Sequence, residues 1–197
     1  MKRRTLFLIF VALACACTGT LSAAELRAIP GDSVYRFDAT LSDQSGTEFH
    51  LGERRGRPLL VAMFYTSCRY VCPLIIDSVK GVEHALNETE RAHLRFLLIS
   101  LDPARDDTAA LKSVFDKRKL DAAHWTLART SESNVRTLAA LLGVRYRALA
   151  DGEFNHTSAL VLLDGEGRRI ASSEALGATP DPKFLAAVRN TLESPAK

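Results

Sequence analysis

Cys68 and Cys72 stand four residues apart in the segment Thr66-Ser67-Cys68-Arg69-Tyr70-Val71-Cys72-Pro73. On a helical turn, positions i and i+4 share a face, and their Cα atoms lie about 6 Å apart, within reach of a disulfide. Where such a pair opens a helix, the positive end of the helix dipole favours thiolate over thiol, and Arg69 adds a nearby cation. Thiolate is the form that attacks disulfides and binds soft metal ions. The pair therefore suits a structural bridge, a redox dithiol or part of a soft-metal site. A bridge over so short a loop constrains the unfolded chain little, because the entropic gain grows with loop length.

His156 is the candidate that joins them. It lies in Gly152-Glu153-Phe154-Asn155-His156-Thr157, a polar loop leading into the strand expected over Ser158–Leu163. His84, His93 and His124 read as solvated, and His50, at a strand edge, as structural. Two thiolates and one imidazole make a donor set suited to a single copper ion, as Cu(I) or Cu(II). Zinc usually takes a fourth ligand. Besides Met1, the only methionine is Met63, in an apolar run, which excludes a methionine-rich copper site.

These residues need a scaffold, and the hydrophobic pattern supplies one. Val34–Phe37 and Glu48–Leu51 flank the turn cluster Asp43-Gln44-Ser45-Gly46 and read as an N-terminal β-hairpin. Leu59–Tyr65 and Phe96–Leu101 are continuous apolar runs of the kind that doubly covered central strands require. Helical spacing is predicted over about 73–89, 108–119, 132–142 and 182–192, with Asp107 or Thr108 as a cap and Gly143 as a stop. Val144–Leu149 reads as a short strand, and Asp164-Gly165-Glu166-Gly167 as the turn of a second hairpin, between Ser158–Leu163 and Arg168–Ser172. The fold class is α/β, a mixed central sheet flanked by helices. The cysteines fall at the carboxyl end of a central strand, where open α/β sheets place their ligands.

The chain opens with Lys2-Arg3-Arg4 and the apolar run 5–17, followed by small residues with Ser22 and Ala24 placed for cleavage before Glu25. Residues 1–24 thus read as a secretory signal peptide, or as a membrane anchor if left uncleaved. Residues 25–197 form one domain, exported to the periplasm or anchored facing it. Without the leader, 23 basic residues balance 23 acidic ones, so a nucleic-acid surface is not expected. Two of the four cysteines also go with the leader, leaving Cys68 and Cys72 in a compartment where thiols can be oxidised.

Taken together, the segment Phe64–Pro73, the loop Leu101-Asp102-Pro103-Ala104-Arg105-Asp106 and Asn155-His156 before Leu160–Asp164 resemble the SCO/SenC family in order and spacing. The resemblance implies a thioredoxin-like fold with one copper ion held by Cys68, Cys72 and His156. It also implies a role in building the copper centre of cytochrome oxidase, the partner being the oxidase's copper-bearing subunit or another exported copper or thiol protein. Some members are similar to thiol-disulfide reductases, in which Cys68 and Cys72 would be the redox pair. A thiol peroxidase, using Thr66 and Arg69 around peroxide, is a further alternative. The chain departs from the family where Arg69-Tyr70 replace Pro-Asp and where Asn155 replaces Asp before the histidine. Each change removes a negative charge near the expected cation. Asp102, Pro103, Arg105 and Asp106 match the family's acidic loop and read as turn and helix-cap residues.

Overall fold

The computed structural model describes residues 28–68 and 71–193. The leader expected over 1–24, and Arg69 and Tyr70, lie outside the described residues. Among the described residues, no helix is long and apolar enough to cross a membrane.

Among the described residues, nine strands and five α-helices follow one another as β1 (Thr40–Asp43), β2 (Glu48–His50), β3 (Leu59–Phe64), α1 (Val71–Ala85), α2 (Glu88–His93), β4 (Arg95–Ser100), α3 (Thr108–Lys117), β5 (Trp125–Arg129), α4 (Glu132–Leu142), β6 (Tyr146–Ala148), β7 (Phe154–His156), β8 (Leu160–Leu163), β9 (Arg169–Ser173) and α5 (Pro182–Glu193). Seven strands form one mixed sheet in the order β2-β1-β5-β4-β3-β8-β9, and β6 pairs with β7 in a separate two-stranded sheet. β3 is buried along its whole length and β4 from Phe96 onward, as their unbroken apolar runs require. This is the mixed α/β sheet that the sequence pattern implies, in the thioredoxin-like form that the family resemblance implies.

Three differences from the sequence pattern have local causes. The hairpin is present, but its first strand is β1 and not Val34–Phe37. Val34–Arg36 forms a 3-10 turn, capped by the Ser33 hydroxyl, that buries Val34 and Tyr35. The sequence pattern does not mark β5, because the five residues Trp125–Arg129 are too few to set a period; it forms by inserting between β4 and β1. α2 has no buried residue and therefore no hydrophobic period, and a reciprocal Asn87–Glu90 capping box defines its start. α4 matches its predicted span, and Gly143 after it takes the left-handed conformation, with φ 73°.

Strand direction decides where the chemistry gathers. β3 and β4 are parallel, so the loops that follow them leave the same edge of the sheet. β8 runs antiparallel to β3 with Leu160 opposite Ala62, so the segment entering β8 starts where β3 ends. That segment is β7, which carries His156 at its last position.

Candidate metal centre

α1 begins at Val71, which places Cys72 in its first turn and Cys68 before the helix. The two cysteines do not share a regular helical turn. They meet because the Cys68 sulfur accepts the Cys72 backbone N–H at 3.4 Å, where a helix N-terminus offers unpaired donors. Cys68 is half-buried, whereas Cys72 is only 2% exposed, in contact with the core. Its sulfur accepts the Tyr65 backbone N–H at 3.3 Å. Burial pushes the Cys72 thiol well above its ordinary range, and the Tyr65 amide opposes this without outweighing it. Desolvation thus works against the thiolate that the helix terminus favours at Cys72.

His156 belongs to strand β7 and not to a loop. Its Nε2 lies 4.0 Å from the Cys72 sulfur. Nδ1 lies 3.2 Å from the Thr157 carbonyl, which can only accept, so Nδ1 carries the hydrogen and Nε2 presents its lone pair to the sulfur. Burial lowers the imidazole pKa and keeps the ring neutral, the form that binds metal. Taking zinc distances as a gauge, a sulfur and a nitrogen sharing one ion stand roughly 3.5–4.3 Å apart, so the observed spacing fits an ion between them. Among the described residues, no three His, Cys, Asp or Glu side chains already converge on one ion position.

Strand alternation separates Asn155 from its neighbours. Phe154 and His156 are half-buried on one face of β7, and Asn155 is exposed on the other, opposite Arg147 of β6. Position 155 thus does not orient the imidazole; the Thr157 carbonyl does. A carboxylate does stand in the cleft, though from a position the sequence did not single out. Glu153 lines the same cleft of about 550 Å³ as Cys68, Tyr65 and His156. Its Oε2 accepts the Tyr65 hydroxyl at 2.8 Å. The Tyr65 ring stands edge-on to both Phe154, at 5.3 Å, and His156, at 5.9 Å.

The loop after β4 does more than turn and cap. Asp107 caps α3 by accepting the Ala110 N–H at 2.7 Å, as its sequence position implies. Asp106 is fully buried and accepts from the Thr66 N–H, the Thr66 hydroxyl and the Ser100 hydroxyl, fastening the cysteine loop to the end of β4. Asp102 pairs with Arg105, whose guanidinium also donates to the Gly152 carbonyl in the β6–β7 turn. One loop thus holds both halves of the site. The Thr66 hydroxyl is committed to Asp106, so it is not poised around a peroxide. His50 bonds to Asp38 and His124 contacts Arg95, so both have roles away from the site.

Known proteins resemble the chain along most of its length. A crystal structure of a SCO1/SenC family lipoprotein from Bacillus anthracis str. Ames superimposes with a TM-score of 0.71 at 19% identity, covering 80% of this chain and 94% of that one. The structure of Bradyrhizobium japonicum ScoI with copper bound superimposes with a TM-score of 0.65 at 22% identity, covering 79% and 98%. Over 75 residues the chain is 31% identical to a SCO2-like protein of Rickettsia felis, a stretch covering 38% of this chain and only 36% of that relative. The SCO1/SenC family model matches residues 31–193, nearly the whole described chain, and the protein belongs to that family.

Proposed function

We propose that this protein binds one copper ion through Cys68, Cys72 and His156 and passes it to the copper-bearing subunit of cytochrome oxidase or to another exported copper protein. The observation that carries this reading is the 4.0 Å approach of a neutral imidazole nitrogen to a buried cysteine sulfur. The donor set suits copper: thiolates are soft, and imidazole extends the range to the oxidised ion. Loading the site releases the thiol protons, and metal charge stabilises the Cys72 thiolate that burial alone disfavours. Cys68 completes the set by turning from the Cys72 amide toward His156. As the more exposed ligand, it is also the one a partner's cysteine meets first, so transfer proceeds by exchange at Cys68 and ends at Cys72. Membership of the SCO1/SenC family and the likeness to a copper-bound fold neighbour support the reading. The leader pattern supports an exported, periplasm-facing location.

The unequal burial of the two cysteines favours a second reading, a thiol-disulfide oxidoreductase. The Cys68 thiolate would attack a partner disulfide to form a mixed disulfide and release one partner thiolate, which takes a proton. Cys72 would then lose its proton and attack Cys68, releasing the second partner thiol and leaving a Cys68–Cys72 disulfide. Two electrons pass to the partner.

Anaerobic Cu(I) titration of the reduced protein, with copper and thiols counted on one sample, separates the two. One copper retained against a moderate chelator, and lost in Cys68→Ser and in Cys72→Ser, is expected. Failure to retain copper, together with stoichiometric reduction of a partner disulfide, would establish the oxidoreductase instead.

A further inference from the structure

The geometry points to Glu153 as the oxygen donor for Cu(II) in this cleft, an inference that rests on the copper reading above. Two thiolates and one imidazole satisfy Cu(I), which takes few, soft ligands. Cu(II) favours more ligands and harder ones, so the three side chains leave it short of an oxygen donor. Asn155 borders the same cleft but is the weaker donor. It is a neutral amide, it is exposed on the opposite face of β7 from His156, and its cross-strand neighbour is Arg147. Glu153 is the residue that brings a carboxylate to this cleft, which Cys68, Asn155 and His156 also line.

Several contacts hold Glu153 there. Its carbonyl accepts the Leu149 N–H at 2.7 Å, and its own N–H donates to Asp151 at 3.0 Å. The next backbone N–H, of Phe154, reaches the Tyr65 hydroxyl at 3.4 Å. Only Oε2 of the carboxylate is engaged, by the Tyr65 phenol; among the described residues Oε1 has no hydrogen-bond partner. Tyr65 in turn is tied through its backbone to the Cys72 sulfur. The carboxylate is thus connected through one residue to a proposed ligand, with one oxygen uncommitted. The Arg105 guanidinium, bound to Asp102 and the Gly152 carbonyl, is the cation that faces it.

In this arrangement Glu153 discriminates between oxidation states. It adds a hard, anionic donor that Cu(II) uses and Cu(I) does not, so it lowers the reduction potential of the bound ion without setting the affinity for Cu(I).

The test uses the purified full-length protein and Glu153→Gln, which keeps the side-chain length and an oxygen that can accept from Tyr65. Cu(II) affinity is expected to fall at least about tenfold, as for loss of a group supporting a metal site. The electron paramagnetic resonance signal of Cu(II) should shift, while Cu(I) affinity against a chelator stays unchanged. Tyr65→Phe, which releases the carboxylate but retains it, should keep Cu(II) affinity; circular dichroism of both variants checks the fold. Wild-type Cu(II) affinity and an unchanged resonance spectrum in Glu153→Gln would overturn the inference and leave the copper reading standing. An equal loss of Cu(I) and Cu(II) affinity would overturn it too, by showing a structural role. Wild-type protein that binds no copper would overturn both readings.

Discussion

Asp106, sealed from solvent, accepts both the backbone N–H and the hydroxyl of Thr66, two residues before the first cysteine. Neighbouring parallel strands bring them together across forty positions of sequence, so the loop after β4 fixes the cysteine loop after β3.

Removing this carboxylate leaves the Thr66 and Ser100 donors without their acceptor. Asp106→Ala is therefore expected to cost about 1–3 kcal/mol, the range for buried polar groups that lose their partner. Urea unfolding of the reduced, metal-free protein measures it, and a change below about 0.5 kcal/mol, the usual range for surface substitutions, would show that the tether is not structural.

Asp106 also gives the stability a pH dependence. Burial raises its folded-state pKa above the usual carboxylate value, although the Ser100 and Thr66 hydrogen bonds pull it down. Between the unfolded and folded values the folded chain binds more protons, so stability falls as pH rises through that window. Asp106→Asn, which cannot ionise, should flatten this fall. An equally steep fall in the variant would assign it to another group.

His156 acts with the opposite slope. Its folded pKa lies below the ordinary value of 6.5, chiefly because the ring is buried. Below about pH 6.5 the unfolded chain takes a proton that the folded one refuses, so stability is lost as pH falls through that window. In His156→Gln this loss should disappear from the unfolding curves of metal-free protein.

For the metal, His156→Ala should weaken Cu(II) binding at least roughly thirtyfold, corresponding to about 2 kcal/mol, and Cu(I) binding much less, because thiolates hold the softer ion. Parallel titrations with the two ions measure this. An unchanged Cu(II) absorption and affinity would remove the imidazole from the ligand set.

Asn155→Asp gives a contrast that the sequence alone would have reversed. A restored acid before the histidine looks as though it should tighten Cu(II). On the exposed face of β7 the new charge meets Arg147 and solvent, where an ion pair is worth under about 1 kcal/mol. Cu(II) affinity should therefore change by less than about fivefold. A tenfold or larger gain would mean that residue 155 acts on the ion after all.

The sequence by itself determined a good deal. Unbroken apolar runs marked β3 and β4, because a doubly covered strand has no polar face. The period and stop glycine of α4 gave its span, since a left-handed helix end selects glycine. The Cys-x-x-x-Cys spacing and Asn155-His156, with the family resemblance they carry, named the three candidate ligands. Tertiary structure decided what depends on direction and face. β5 and α2 left little hydrophobic signal, because one is short and inserted and the other buries nothing. The Asp106–Thr66 tether and the Arg105–Gly152 link depend on which strands are parallel, which local pattern does not encode. The Glu153–Tyr65 hydrogen bond was hidden for the same reason. A one-residue step along a strand reverses the face a side chain presents, and only the pairing of β7 with β6 and its approach to Tyr65 show which face meets the cysteines.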